Sequence, residues 1–276
     1  MKHFYNQIEQ SWQTKHSLLC IGLDPDPGRF PEHIDKTENG IYEFCSQIVT
    51  ATARWACAFK PQIAYFAAHA AEGALQQIIQ DIKNNHPSTP VILDAKRGDI
   101  GSTAQMYARE AFERYSADAV TVNPYMGGDT LKPFTDYADK GVIVLCRTSN
   151  PGSGDFQSQR LNGQTLAEQV AEKASHSWNE NQNIGLVVGA TYPEELDKIR
   201  KIVGDMPLLV PGIGAQGGDL KQVLTNGLTD RGGGLMINVS RSVLYAGGGE
   251  EFASHSAMEA KKLCTEISKS LDEVVA

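Results

Sequence analysis

The chain has 276 residues, 41% hydrophobic and 21% charged, with a formal net charge of −8. A chain of this length buries a sizeable core without disulfide staples, and its composition is that of an ordinary globular protein. The acidic balance disfavours a nucleic-acid or anionic-membrane surface and leaves room for a local basic pocket around a small anion.

Read in order, the chain opens on an amphipathic segment, 3–15. An apolar run at 18–24 follows, then a helix-prone stretch at 40–54, a run at 56–62 and a helical segment at 69–84. The alternation continues with a run at 90–97, a helix at 103–115, a run at 119–124, a short helical piece at 128–138 and a run at 141–149. After a Pro-, Gly- and Ser-rich loop, 150–163, come a helix at 164–179, a run at 184–191, a helix at 193–203 and a run at 208–214. A helix at 219–226, a last run at 234–242 and a long helix at 250–275 complete the pattern. Short runs rich in Val, Ile and Leu are the mark of strands buried on both sides in a parallel sheet. Eight strand–helix units predict an α/β chain, a TIM (β/α)8 barrel. It would be a single domain over 1–276, with the extra N-terminal helix 3–15 plugging the barrel bottom. A doubly wound open sheet is the structural alternative.

Five cysteines, Cys20, Cys45, Cys57, Cys146 and Cys264, are widely spaced and contain no C-x-x-C pair. A reduced, cytoplasmic chain is expected rather than a disulfide framework. The opening Met-Lys-His-Phe-Tyr-Asn-Gln has no apolar signal region, and no window is apolar enough for a membrane span. His33, His69, His86, His176 and His255 fall in loops or on helices and are expected at the surface, and no compact His/Cys/Asp set suggests a metal.

Polar residues gather at the C-terminal ends of the runs: Asp24; Lys60 and Gln62; Asp94 and Lys96; Asn123; Arg147, Thr148 and Ser149; Asn238, Ser240 and Arg241. In an α/β barrel that end holds the active site. The densest stretch is Leu93-Asp94-Ala95-Lys96-Arg97-Gly98-Asp99-Ile100-Gly101. Strand alternation puts Asp94 and Lys96 on one face and Ala95 on the other. Gly98 then permits a turn, and Asp99 follows it. The same charges could equally form a structural ion pair at a strand end. A glycine-rich loop, Pro211-Gly212-Ile213-Gly214-Ala215-Gln216-Gly217-Gly218-Asp219, follows the seventh run, and Asn238-Val239-Ser240-Arg241-Ser242 closes the eighth. Those two loops are where barrels commonly bind phosphate, through backbone N–H groups and a bidentate Arg.

Asp94-x-Lys96-x-x-Asp99-Ile100 resembles the signature of the orotidine 5′-phosphate decarboxylase family. Gly22-Leu23-Asp24, Phe59-Lys60, Val210-Pro211-Gly212-Ile213 and Ser240-Arg241 fall at the matching strand ends in the family's order. Asp24-Pro25-Asp26-Pro27 and Lys60-Pro61-Gln62 are similar to its longer bacterial branch. The resemblance implies decarboxylation of orotidine 5′-monophosphate to uridine 5′-monophosphate, the last step of de novo pyrimidine nucleotide synthesis, with no cofactor and no metal. Asp24 and Lys60 would bind ribose hydroxyls, Asp94 would lie against the substrate carboxylate, and Lys96 would protonate C6. Asp99, with Ile100 and Thr103, would reach the neighbouring subunit's site in a homodimer. Ser149 or Thr148 would contact the pyrimidine. Gln216 and Arg241 would hold the 5′-phosphate, with Pro211, Gly214 and Ala215 contributing around it.

The residue types suit that chemistry. Departure of carbon dioxide from C6 leaves a carbanion that needs a cation and a proton source nearby. Lys96 offers both, and flanking carboxylates favour its charged form. Three rivals remain: a metal-dependent sugar-phosphate decarboxylase or aldolase of the same barrel group, a Schiff-base aldolase and a non-catalytic phosphometabolite-binding barrel. The first would need an acidic residue where Lys60 stands; the second prefers a lysine without carboxylate partners; the third would lack Asp94 or Lys96.

Overall fold

The computed structural model describes residues 3–213 and 218–275. Eight strands form one sheet: β1 (Leu19–Leu23), β2 (Ala58–Pro61), β3 (Ile92–Arg97), β4 (Ala119–Val122), β5 (Gly141–Arg147), β8 (Ile184–Val188), β9 (Leu208–Pro211) and β10 (Leu235–Val239). Between β5 and β8 lies a separate two-stranded hairpin, β6 (Arg160–Leu161) with β7 (Gln164–Thr165). The large sheet runs in the order β2-β1-β10-β9-β8-β5-β4-β3, and its neighbours are parallel. Bridges Phe59↔Val91 and Gln62↔Asp94 join β2 to the β3 segment and close the ring. β1 and β8 are buried at every position, as strands enclosed by both a barrel interior and a helix layer must be.

The helices are α1 (Phe4–Lys15), α2 (Glu38–Thr52), α3 (Ile63–Ala67), α4 (Glu72–Asn85), α5 (Gly101–Arg109) and α6 (Gly128–Thr135). The second half of the chain contributes α7 (Leu166–Ser175), α8 (Pro193–Val203), α9 (Leu220–Gly227), α10 (Arg241–Leu244) and α11 (Phe252–Val275). α3 was not expected. It starts directly after β2, where Gln62 accepts a hydrogen bond from the N–H of Ala64. The helix expected over 103–115 begins at Gly101 and ends in a π-helical turn, Glu110–Arg114. The 150–163 loop is also more ordered than its composition suggests. Pro151–Asp155 winds into a 3-10 turn, and Asn162 and Gly163, at φ 53° and 88°, make the tight hairpin turn between β6 and β7. Thr165 and Glu168 then form a reciprocal capping box that starts α7.

Two apolar clusters hold the molecule together. The larger lies between the strands and the helices. The smaller fills the barrel with Cys20, Cys57, Ala58, Ile92, Ala119, Ile143, Val187, Leu209 and Met236. Phe4 and Ile8 of α1 belong to that inner cluster and are fully buried. α1 therefore plugs the barrel, as its amphipathic pattern predicts. Gly141, the first residue of β5, makes room for it: a Cβ there would stand 2.5 Å from Phe4 Cδ1. Ser11 Oγ donates to the Cys57 carbonyl at 2.7 Å and anchors the plug further.

Candidate active site

β2 and β3 converge at the opposite end of the barrel. Asp94 Oδ2 accepts from Lys60 Nζ at 2.9 Å, and its Oδ1 accepts from Lys96 Nζ at 2.6 Å. The side chains of Lys60 and Asp94 are 6% and 8% exposed, whereas that of Lys96 is 46% exposed and open to the mouth. Burial disfavours charge on Lys60, but the carboxylates of Asp94 and Asp24 outweigh it and raise its pKa. Burial likewise pushes the Asp94 carboxyl up, and Lys60 and Lys96 reverse this, holding it well below the usual carboxylate range. A buried carboxylate clasped by two ammonium groups stays charged because each of its oxygens accepts from a cationic donor.

The route by which Lys96 meets Asp94 differs from simple alternation. The β3–β4 register shifts between Leu93 and Arg97, and Lys96 has φ 46°, in the left-handed region. Thr121 in the middle of β4 holds this bulge. Its Oγ1 accepts from the N–H groups of Ala95 at 3.0 Å and Lys96 at 2.9 Å, and donates to Asp94 Oδ1 at 2.8 Å. Motif reading passed over Thr121; a lone hydroxyl in the apolar run Ala119–Val122 was the available signal. The bulge also turns Arg97 outward onto Glu110 of the π-helical turn and the ring of Tyr107.

Asp24 follows β1, and its buried Oδ1 has no hydrogen-bond partner among the described residues. Its neighbour on the strand is constrained: a Cβ at Gly22 would collide with Ser240 Oγ. Tyr245 pins the segment after Asp24, donating to the Asp24 carbonyl at 3.1 Å and accepting from the Asp26 N–H at 2.7 Å.

After β5, Thr148 is committed to the neighbouring loop. Its N–H donates to Gln157 Oε1 at 2.8 Å and its hydroxyl to Asn150 Oδ1 at 2.7 Å. Ser149 Oγ makes no hydrogen bond to a described residue and packs against Gly189, where a Cβ would stand 2.8 Å from Ser149 Cβ. Arg147 is not a mouth residue, despite its place at the strand end. It is 2% exposed and faces the helix layer, paired with Glu195 at 2.5 Å, bonded to Ser153 and lying 3.8 Å over the Tyr192 ring. His255 is only partly at the surface: the residue is half-buried, and its Nδ1, against Gly247, is buried with no hydrogen-bond partner among the described residues.

Pro211 ends β9 half-buried, and Gly212 adopts φ 102° before the Ile213↔Gly218 bridge. Gly214, Ala215 and Gln216 lie outside the described residues. Arg241 opens α10, exposed and without an ion pair among the described residues. Asp99 stands apart from the lysine network: its Oδ1 caps the N–H of Ile100 at 2.8 Å. Ile100 is 61% exposed, and Thr103 is exposed beside it. No group of three or more His, Cys, Asp or Glu among the described residues is arranged to hold a metal ion.

Residues 17–255 match the model of the Orotidine 5′-phosphate decarboxylase / HUMPS family. A protein of Azoarcus sp. named orotidine 5′-phosphate decarboxylase is 58% identical over 252 residues, covering 91% of this chain and 93% of that one. The protein of that name from Dechloromonas aromatica is 59% identical over 251 residues, with the same coverage of 91% and 93%. Among solved structures, Leishmania donovani OMP decarboxylase superimposes with a TM-score of 0.84 at 41% identity, covering 98% of each chain. A putative orotidine-monophosphate-decarboxylase from Toxoplasma gondii gives 0.90 at 35% identity, covering 99% of each chain.

Proposed function

The chain belongs to the orotidine 5′-phosphate decarboxylase family and converts orotidine 5′-monophosphate to uridine 5′-monophosphate; from that premise we propose that Lys96 is the acid that protonates C6 as carbon dioxide leaves. The observation that carries this is the Lys60–Asp94–Lys96 network, in which the outer ammonium stands at the barrel mouth while its carboxylate partner is buried. The bond from C6 to the carboxylate carbon breaks and leaves its electron pair on C6. That pair takes a proton from Lys96 Nζ, which regains one from water. The trio carries one net positive charge, two ammonium groups against one carboxylate, and so favours the developing carbanion. Asp94 lies where the substrate carboxylate would approach.

The remaining contacts complete the reading. Asp24 and Lys60 bind ribose hydroxyls, and the unpartnered Asp24 Oδ1 is an acceptor ready for one. Ser149 contacts the pyrimidine, since the Thr148 hydroxyl is already used. Arg241 and Gln216 grip the 5′-phosphate, with Pro211, Gly214 and Ala215 around them. The chain works as a homodimer in which Asp99, Ile100 and Thr103 enter the partner's site. Exposed Ile100, Met106, Tyr125 and Met126 on neighbouring segments support such an interface. Residues 1–276 act as one domain and no cofactor takes part. A cytoplasmic location belongs to the same reading: all five cysteines are free and buried, and no described helix is long and apolar enough to cross a membrane.

Pairing with Asp94 argues against a Schiff-base role for either lysine, and Lys60 occupies the position a metal-binding rival would give to an acid. The test is loss of ultraviolet absorbance after substrate is added with a chelator present. The wild-type chain is expected to turn over fully and Lys96→Ala not at all; full activity of Lys96→Ala, or strict dependence on added metal, refutes the assignment.

A further inference from the structure

Thr121 sits at the centre of the network without being one of its charges. A hydroxyl offers one proton and two lone pairs. The N–H groups of Ala95 and Lys96, at 3.0 Å and 2.9 Å, occupy both lone pairs, so the proton must point at Asp94 Oδ1, 2.8 Å away. Thr121 is fully buried. Two consequences follow from this polarity. Asp94 Oδ1 can only accept, which is the behaviour of the ionised carboxylate. Two successive peptide units, through the N–H groups of Ala95 and Lys96, are tied to the same oxygen, which keeps Lys96 at φ 46°, a conformation a non-glycine residue holds only when its surroundings impose it.

We propose that Thr121 is a positioning residue for the decarboxylation: its hydroxyl holds the β3 bulge and the Asp94 carboxylate in one register, so that Lys96 Nζ is aimed at the reacting carbon. The inference rests on Lys96 being the proton donor. Thr121 is fully buried behind Asp94 and Lys96 and acts through them, and a valine of similar shape would serve the strand equally well. The hydroxyl is therefore there for its three hydrogen bonds.

The test compares Thr121→Ser, which keeps the hydroxyl, with Thr121→Val, which keeps the shape. Thr121→Ser should retain kcat within about threefold. Thr121→Val should lose about 10²-fold in kcat, the scale of a misaligned reacting group, with KM and uridine 5′-monophosphate affinity within about threefold. If Thr121→Val fails to fold, Thr121→Ala is expected to give the same split. Wild-type kcat in Thr121→Val, equal impairment of Thr121→Ser, or a collapse of uridine 5′-monophosphate binding alongside kcat would each overturn the proposal. Lys96→Ala, assayed in parallel, separates the two levels. If it is inactive while Thr121→Val is normal, only the role of Thr121 falls. If it is fully active, the donor assignment falls as well.

Discussion

Asp94 has a depressed pKa and Lys60 a raised one, and each direction sets one edge of a stability window. A carboxylate with a lowered folded pKa contributes stability above its unfolded value of about 4, and that contribution is lost as pH falls through the folded pKa. An amine with a raised folded pKa contributes below its unfolded value of about 10.4, and the gain is lost as pH rises through the folded pKa. The pair's contribution should therefore be level from about pH 4 to 10 and decline on both sides. Asp94→Asn leaves Lys60 buried without its partner, which costs about 3–5 kcal/mol near neutral pH. Denaturant unfolding across pH should show this gap between wild type and Asp94→Asn narrowing below about pH 4. A gap that widens in acid would contradict the ionised assignment.

Arg147 shows how elements, rather than single residues, shape the mouth. Its guanidinium ties the end of β5 to Glu195 of α8 and to Ser153 in the 3-10 turn of the 150–163 loop. A lysine cannot reproduce a forked pair that also stacks on Tyr192. Arg147→Lys should loosen that loop, seen as faster limited proteolysis within 150–163, and raise KM more than it lowers kcat. α1 gives the opposite expectation. Phe4→Ala empties the barrel bottom at a cost of about 3–5 kcal/mol. Because the plug lies at the far end from Lys96, kcat below the melting temperature should stay near wild type. A large kcat loss in fully folded Phe4→Ala would show that the two ends of the barrel are coupled.

For the whole molecule, the expectation concerns shared sites. A dimer mixed from Asp99→Ala and Lys96→Ala chains has one site with both groups intact and one with neither. Random exchange makes about half of the dimers mixed, so activity should recover to about a quarter of wild type from two nearly inactive parents. No recovery after verified exchange would place Asp99 within its own subunit or outside the chemistry. The interface residues invoked are apolar and exposed, with Tyr125 at 79% and Ile100 at 61%, so dilution that separates subunits should reduce activity per chain.

Much of this was determined by the sequence alone. Period and apolar runs marked all eight barrel strands and the plug helix, because burial on both faces leaves a continuous hydrophobic signature. Charged residues at strand ends picked out Lys60, Asp94 and Lys96, because charge inside a buried strand is too costly to occur without purpose. Tertiary structure decided what those residues do with one another. The left-handed turn at Lys96, the outward face of Arg147 and the clasp of Thr121 each depend on a neighbouring strand or helix that is remote in sequence. Thr121 is 27 residues from Asp94. A hydroxyl in an apolar run announces itself only when its partners are known, because a hydrogen bond has direction and reach that no local pattern records.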